Sequence, residues 1–296
     1  MAVNLKNIKS LLKQKAQPKE EVKQDLPQSA VPDYSKLFCE KLLSEKQPRL
    51  DLESYKVPGT DTAYYIKDYL NKEQEQTLLH CIFNLDQERW FEMKSGRALK
   101  RYGGEVGPTG LQSQEPLPPY FEAIARGLYE RGLFPCEHGA PNHILLNKYK
   151  PGDGIMPHKD GPAYHPFVCI LSLNSGLILN IWETLEDSRP STEDGIPKYK
   201  ARFYLEPRSL FIFTEKHYLD HFHGIEEAVE DRISNDPASP WYVHNLTMTN
   251  LTLPNKGEES EQLVGAAKQK QGGEAIIERS DFRLSLTIRY VPLSKE

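Results

Sequence analysis

The sequence of 296 residues predicts a mainly β fold of the α+β class, an antiparallel sandwich or jelly roll with supporting helices on its N-terminal side. Two observations carry that expectation. Six short segments follow His143, each rich in β-branched or aromatic residues or alternating in polarity: HILLNKYK, FVCILSLN, LILNIWE, ARFYLEP, SLFIFT and RLSLTIRYV. Two segments of helical periodicity precede them, and no internal repeat is visible.

Taken in order, residues 1–52 are rich in Lys, Glu, Gln and Pro and read as a charged, partly disordered tail. The opening MAVNLKNIKSLLKQK has the pattern of a short basic amphipathic helix. TAYYIKDYL is a strand leading to Asn71, which caps a helix with Gln74 three residues on. On that helix Leu78, Leu79, Ile82 and Phe83 share one face. A second helix follows Pro118 and Pro119, buries Phe121, Ile124, Ala125 and Leu128, and ends near Gly132. Between the helices lies WFEMKSGRALKRYGGEVGPTG, expected to be irregular. A polar insertion over about 232–280 interrupts the strand series and is expected to be a surface loop.

A net charge of −5 argues against a surface that grips nucleic acid all over, but leaves room for a local basic groove. Cys39, Cys81, Cys136 and Cys169 form no C-x-x-C pair, which disfavours a zinc knuckle or thioredoxin motif. Scattered thiols without a signal peptide point to a reducing compartment, the cytoplasm and nucleus, and to chance sequons at Asn245 and Asn250. No apolar run approaches the roughly 20 residues that span a bilayer. A monomer away from membranes is expected.

The sharpest motif is NKYKPGDGIMPHKDG, residues 147–161. His158 and Asp160 are two apart, so an extended chain turns both to one face. An imidazole and a carboxylate there supply two ligands of a 2-His-1-carboxylate site, the donor set of non-haem Fe(II) oxygenases. H-x-D alone is a common chance match in a surface turn. A third ligand is available in HYLDHFHGI, where His217, His221 and His223 all stand. His221 and His223 share a face if the segment is extended, so spacing does not choose between them. In RLSLTIRYV, Leu284, Leu286 and Ile288 alternate with Arg283, Ser285, Thr287 and Arg289. Such a polar face is ordinarily solvated. Here Arg283 with Ser285 has the chemistry to grip a carboxylate, and Asn147 and Tyr149 share a face upstream.

The order N-x-Y, P-G, H-x-D, a distal H-G-I and R-x-S-x-T-x-R resembles the AlkB family of iron(II)- and 2-oxoglutarate-dependent dioxygenases. The resemblance spans about residues 55–292, and KVPGTDTAYYIKDYL, LPPYFE, LEPRSL and SLTIR bring it nearest to the sixth AlkB homologue group. It implies a double-stranded β-helix (jelly roll) core within a dioxygenase domain over residues 53–296. It implies His158, Asp160 and His223 as metal ligands, His223 being the histidine followed by Gly-Ile. Asn147, Tyr149, Arg283 and Ser285 then match the 2-oxoglutarate contacts, and Arg289 matches a second arginine supporting the metal carboxylate or the co-substrate. The gap between His223 and Arg283 is long for the family, which puts the strand register after His223 in question.

The cofactors implied are Fe(II), 2-oxoglutarate and O2, and the activity is oxidative dealkylation of nucleic acid. Trp90 and Tyr102, interleaved with Arg97, Lys100 and Arg101, have the stacking and phosphate-binding chemistry of a nucleotide lid over a single-stranded or flipped base. A solvated loop with its aromatics tucked into the core is the plainer reading. Tyr164, with His165 beside it, is expected at the pocket entrance. Two other readings stay open: a hydroxylase or demethylase of proteins on the same fold, and a nucleic-acid binder with little turnover.

Overall fold

The computed structural model describes residues 32–43, 48–86, 89–253, 267–270 and 274–294. The chain divides into two units, Met1–Pro32 and Asp33–Glu296. All described residues but Pro32 belong to the second unit, so the amphipathic helix expected at the start lies outside them.

Helix α1 (Tyr34–Leu43) stands within the stretch expected to be tail. Its Phe38 is fully buried among core residues from α2 (Lys72–His80) and α3 (Pro119–Glu130). The tail expectation fails there because one aromatic anchor outweighs a polar surrounding composition. Asn71 and Gln74 form the expected reciprocal cap of α2. A single π-helical turn over Cys81–Leu85 then shifts the helical phase, so Ile82 is buried while Phe83 is exposed, contrary to the expected face. In α3, Phe121, Ile124, Ala125 and Leu128 are all buried as expected.

The strands form a jelly roll. In chain order they are β1 (Ala63–Ile66), β2 (Phe91–Glu92), β3 (Ala98–Tyr102), β4 (Gly104–Gly107), β5 (Gly110–Gln114), β6 (His143–Tyr149), β7 (Ile155–His158), β8 (Phe167–Leu173), β9 (Leu177–Trp182), β10 (Ala201–Leu205), β11 (Leu210–Thr214), β12 (Phe222–Ile225), β13 (Glu230–Ser234), β14 (Ala267–Lys270), β15 (Glu274–Glu278) and β16 (Arg283–Arg289). The major sheet has the order β1-β11-β8-β16-β6-β3-β2, and the minor sheet β10-β9-β12-β7. The region expected to be irregular between the helices therefore supplies β2 and β3 to the major sheet and a separate β4-β5 hairpin.

Period-2 alternation sets what each face of the major sheet does. Ile144, Leu146, Cys169, Leu171, Leu284, Leu286 and Ile288 pack against the helices. Tyr149, Val168, Ile170, Phe211 and Phe213 face the minor sheet, where Leu177, Leu179, Ile181, Phe203 and Ile225 meet them. The polar residues of β16 share that inner face. Arg283, Ser285 and Arg289 are thus buried between two sheets, where an isolated strand would have left them in water.

The expected surface loop over 232–280 is corrected in part. β13 and β15 pair along five residues, with β14 on the other edge of β15. Ile233, Ala275 and Ile277 pack with Ile178 and Tyr204 of the minor sheet. The three apolar residues of EAIIE, set between polar flanks, are too short a run to announce a strand. Residues 254–266 and 271–273 lie outside the described residues. Asn245, one of the sequon residues, is fully buried and binds both backbone groups of Tyr204 at 2.9 Å.

Candidate metal and 2-oxoglutarate site

The site lies between the two sheets, at the end of β7 and the start of β12. His158 closes β7 and stands opposite His223 of β12 in antiparallel register, with ring centroids 4.3 Å apart. Gly224 follows in the strand because a Cβ there would sit 2.8 Å from the Ile155 carbonyl and 3.1 Å from the Trp182 ring. That close approach is why the third histidine is followed by glycine.

His158, Asp160 and His223 each offer one ligand atom within 4.8 Å of the others, and among the described residues this is the one such group. His158 Nδ1 lies 2.9 Å from the Met156 carbonyl, which only accepts, so Nδ1 carries the proton and Nε2 is free to ligate. Asp160 Oδ1 accepts from Arg289 at 2.6 Å, while Oδ2 is buried without a hydrogen-bond partner. His223 Nδ1 is likewise buried and unpartnered. Two imidazoles and a carboxylate with orphaned donor atoms fit a divalent transition metal with further positions open.

The electrostatics suit that role. Burial alone would raise the Asp160 carboxyl, but the Arg289 guanidinium and the His223, His158 and His143 rings overcome it, and its pKa falls below the ordinary value. Burial lowers His223 to about 4, leaving a neutral ring. Neutral imidazole and ionised carboxylate are the ligating forms.

A second polar cluster lines the same cavity. Arg283 is buried, donates to Ser172 Oγ at 2.8 Å, and leaves Nε unpartnered. Its guanidinium lies 5.8 Å from the Tyr149 ring, and burial brings its pKa down to about 10, still protonated at neutral pH. Burial pushes the Tyr149 phenol up despite Arg97 and Arg283 beside it, so the phenol remains a donor. Register places Ser285 opposite Asn147 and Arg283 opposite Tyr149. Guanidinium, two hydroxyls and an amide converge on one end of a cavity walled by Ile170, Leu179, Leu205 and Phe213. That set fits a carboxylate of a diacid.

The lid residues fall differently. Arg97 is inside the cavity, donating to Asn147 Oδ1 at 2.6 Å. Lys100 is buried in an ion pair with Asp86 at 2.8 Å, and Tyr102 packs on Phe121 and donates to Asp86. Neither is placed to meet a ligand: the alternation of β3 turns both toward the helices. Trp90 packs against that core with Lys100 and Lys148 over its ring. Arg101 is exposed on the inner-facing side of β3, opposite Leu145 of the cavity wall. Tyr164 covers the Arg289 guanidinium at 4.1 Å. His165 lies against Phe134, with ring centroids 6.1 Å apart and planes tilted by 54°.

His217 and His221 pair with each other, Nδ1 to Nδ1 at 3.0 Å, and take no part in the cluster. The short helix Glu215–Leu219 takes His217 out of the extended run, and His221, just before β12, pairs with it. Sequence reasoning did not find Ser172, a polar residue at an inward position of an otherwise apolar strand. It also missed His143, buried opposite Arg289 with both ring nitrogens unpartnered.

The chain is 32% identical over 247 residues to the protein named Probable RNA/DNA demethylase ALKBH6 of Danio rerio, covering 82% of this chain and 92% of that one. It belongs to the AlkB family of iron(II)- and 2-oxoglutarate-dependent oxygenases. Uncharacterized protein L905 of Acanthamoeba polyphaga mimivirus is 36% identical over 57% of this AlkB-family chain and 75% of its own. The tRNA (carboxymethyluridine(34)-5-O)-methyltransferase alkbh8 of Xenopus tropicalis is 32% identical over 39% of the chain and 19% of its own length. Among solved structures, that of OsALKBH1 superposes with a TM-score of 0.42 at 13% identity, over 78% of this chain and 97% of that one. No family model matches the chain. No helix among the described residues is long and apolar enough to cross a membrane.

Proposed function

We propose that the protein removes N-alkyl groups from nucleic acid, using Fe(II) held by His158, Asp160 and His223 and 2-oxoglutarate anchored by Arg283. The observation that carries this reading is one cavity with a three-ligand cluster beside a buried guanidinium that retains an unpartnered nitrogen. The name of the Danio rerio relative, and Arg101 exposed at the inner-facing edge of β3, support nucleic acid as substrate.

Bound metal, keto acid and O2 supply the oxidising chemistry. The chain's own residues do the placing. His158, Asp160 and His223 would hold the cation through two imidazoles and a carboxylate. Arg283 meets a distal carboxylate with a planar fork, and Ser285, Asn147 and Tyr149 supply further hydrogen bonds. Arg289 keeps Asp160 ionised and aimed. The aliphatic and Phe213 walls limit water. The net reaction converts an N-methyl group, O2 and 2-oxoglutarate to N–H, formaldehyde, succinate and CO2.

Incubation of alkylated oligonucleotides with Fe(II) and 2-oxoglutarate should release formaldehyde and succinate in equal amounts, both abolished by Asp160→Ala. Succinate without any change in any strand would transfer the activity to another substrate. Absence of both would end the catalytic reading.

A further inference from the structure

Charge lines this cavity unevenly. Among its described lining residues, Arg97, Arg283 and Arg289 are cationic and Asp160 alone is anionic, an excess of two positive charges. Counting Asp153 as well, which lies beside Gly96, next in sequence to Arg97, still leaves an excess of one. A divalent metal and a dianionic keto acid cancel each other, so loading the site does not reverse the balance. His143 adds nothing, because burial with Arg289 and Arg101 alongside holds it neutral, with a pKa of about 3. Arg101, exposed on the same face of β3, adds a further positive charge.

Three aromatic rings in and around the site already face a cation. Arg289 covers Tyr164 at 4.1 Å, Arg283 faces Tyr149 at 5.8 Å, and Lys100 and Lys148 flank Trp90 at 4.9 and 5.0 Å. The one lining carboxylate is engaged by Arg289 and by the metal role assigned above. His143 offers an unpartnered neutral ring beside Tyr164, able to donate from one nitrogen and accept at the other.

From this distribution we infer that the site takes an alkylated base that carries no positive charge, and rejects bases whose alkylation makes them cationic. The inference rests on the nucleic-acid reading above and names the class of target within it.

The test is equilibrium binding to three labelled single strands of one sequence, with uracil, 3-methyluracil or 3-methylcytosine at one position. The two methylated bases carry the group on the same ring nitrogen, and only the second is cationic at neutral pH. The protein is loaded anaerobically with Fe(II) and 2-oxoglutarate, so that no turnover intervenes, and Kd is read by fluorescence anisotropy. The 3-methyluracil strand should bind at least tenfold tighter than the 3-methylcytosine strand, and tighter than the unmodified one. Arg97→Met should narrow that gap. Because it also strips Asn147 of a donor, its melting temperature is measured, and the exposed Arg101→Ala is tested beside it for the same trend. Equal or tighter binding of the cationic strand, or no gain over uracil, overturns the inference while leaving nucleic acid as substrate. No binding to any strand removes the nucleic-acid reading and the inference together.

Discussion

Arg289 at the end of β16 donates to Asp160 Oδ1 at 2.6 Å, and both side chains are almost fully buried. The pairing ties the last strand of the jelly roll to the loop that follows β7, across 129 residues of chain. Arg289→Ala would leave a buried carboxylate without its counter-charge. Breaking such a pair costs about 3–5 kcal/mol. In the metal-free protein that loss should appear as a lower denaturant midpoint. Metal affinity should fall about 10- to 100-fold, the usual effect of losing a group that orients a ligand. Titration with Mn(II) measures it, and an unchanged affinity would refute the positioning role.

Arg283→Lys tests the carboxylate clamp. Lysine keeps the charge but not the planar fork, and its ammonium cannot serve Ser172 and a diacid in the same geometry. The KM for 2-oxoglutarate should rise about tenfold, equivalent to about 1.4 kcal/mol of lost binding, with a smaller change in kcat. A fall in kcat at unchanged KM would place Arg283 outside the keto-acid site.

Lys100 and Arg101 are neighbours in sequence with opposite fates. Lys100 is 3% exposed against Asp86, whereas Arg101 is open to solvent. Lys100→Glu should destabilise the fold by about 3–5 kcal/mol through two facing buried carboxylates. Arg101→Glu should leave the melting temperature within a few degrees and weaken single-strand binding, most at low salt. Thermal melting and binding of the two variants side by side separate the roles, and the reverse pattern would contradict the burial of β3.

How much of this was readable in the sequence depends on how local each signal is. The six strands after His143 carry their alternation on the surface of the sequence, as does the Asn71–Gln74 cap, and the structure contains them all. The ligand triad was legible only through a resemblance, because spacing left His221 and His223 equivalent. The helix over Glu215–Leu219, which carries His217 and so draws His221 into a pair with it, has no side-chain cap to announce it. β3 was lost for a related reason. ALKRY does not alternate in polarity although its burial does, glycines and charges on both sides read as loop, and only pairing with β6 makes it a strand. Whether the arginines of β16 face water or the sheet interior is a property of the second sheet, which no local window contains.

Acid stability follows from buried neutral histidines. Burial, with Arg289 and Arg101 beside it, lowers His143 to about 3; burial and the facing His221 ring lower His217 to about 4. Both sit below the value of about 6.5 expected in the unfolded chain. The unfolded state then binds a proton that the folded state refuses, so this stability is whole above about pH 6.5 and declines as pH falls toward 4. Each histidine contributes a slope of up to about 1.4 kcal/mol per pH unit across that range. Urea unfolding at pH 7 and pH 5 measures it, and His217→Gln should flatten the dependence. A flat profile in the parent protein would mean that these rings find solvent.

The N-terminal limit of the folded unit can be tested through Phe38. Its ring is fully buried, in the core that also holds Leu78, Phe121 and Leu128, although the surrounding 20 residues are largely polar. Removing an aromatic ring from such a core costs about 3–5 kcal/mol. Phe38→Ala should therefore lower stability nearly as much as deleting residues 1–43, whereas deleting residues 1–31 should leave the melting temperature close to that of the full chain. If Phe38→Ala melts with the parent protein, α1 contributes no packing, and the unit begins near residue 53 as the composition first implied.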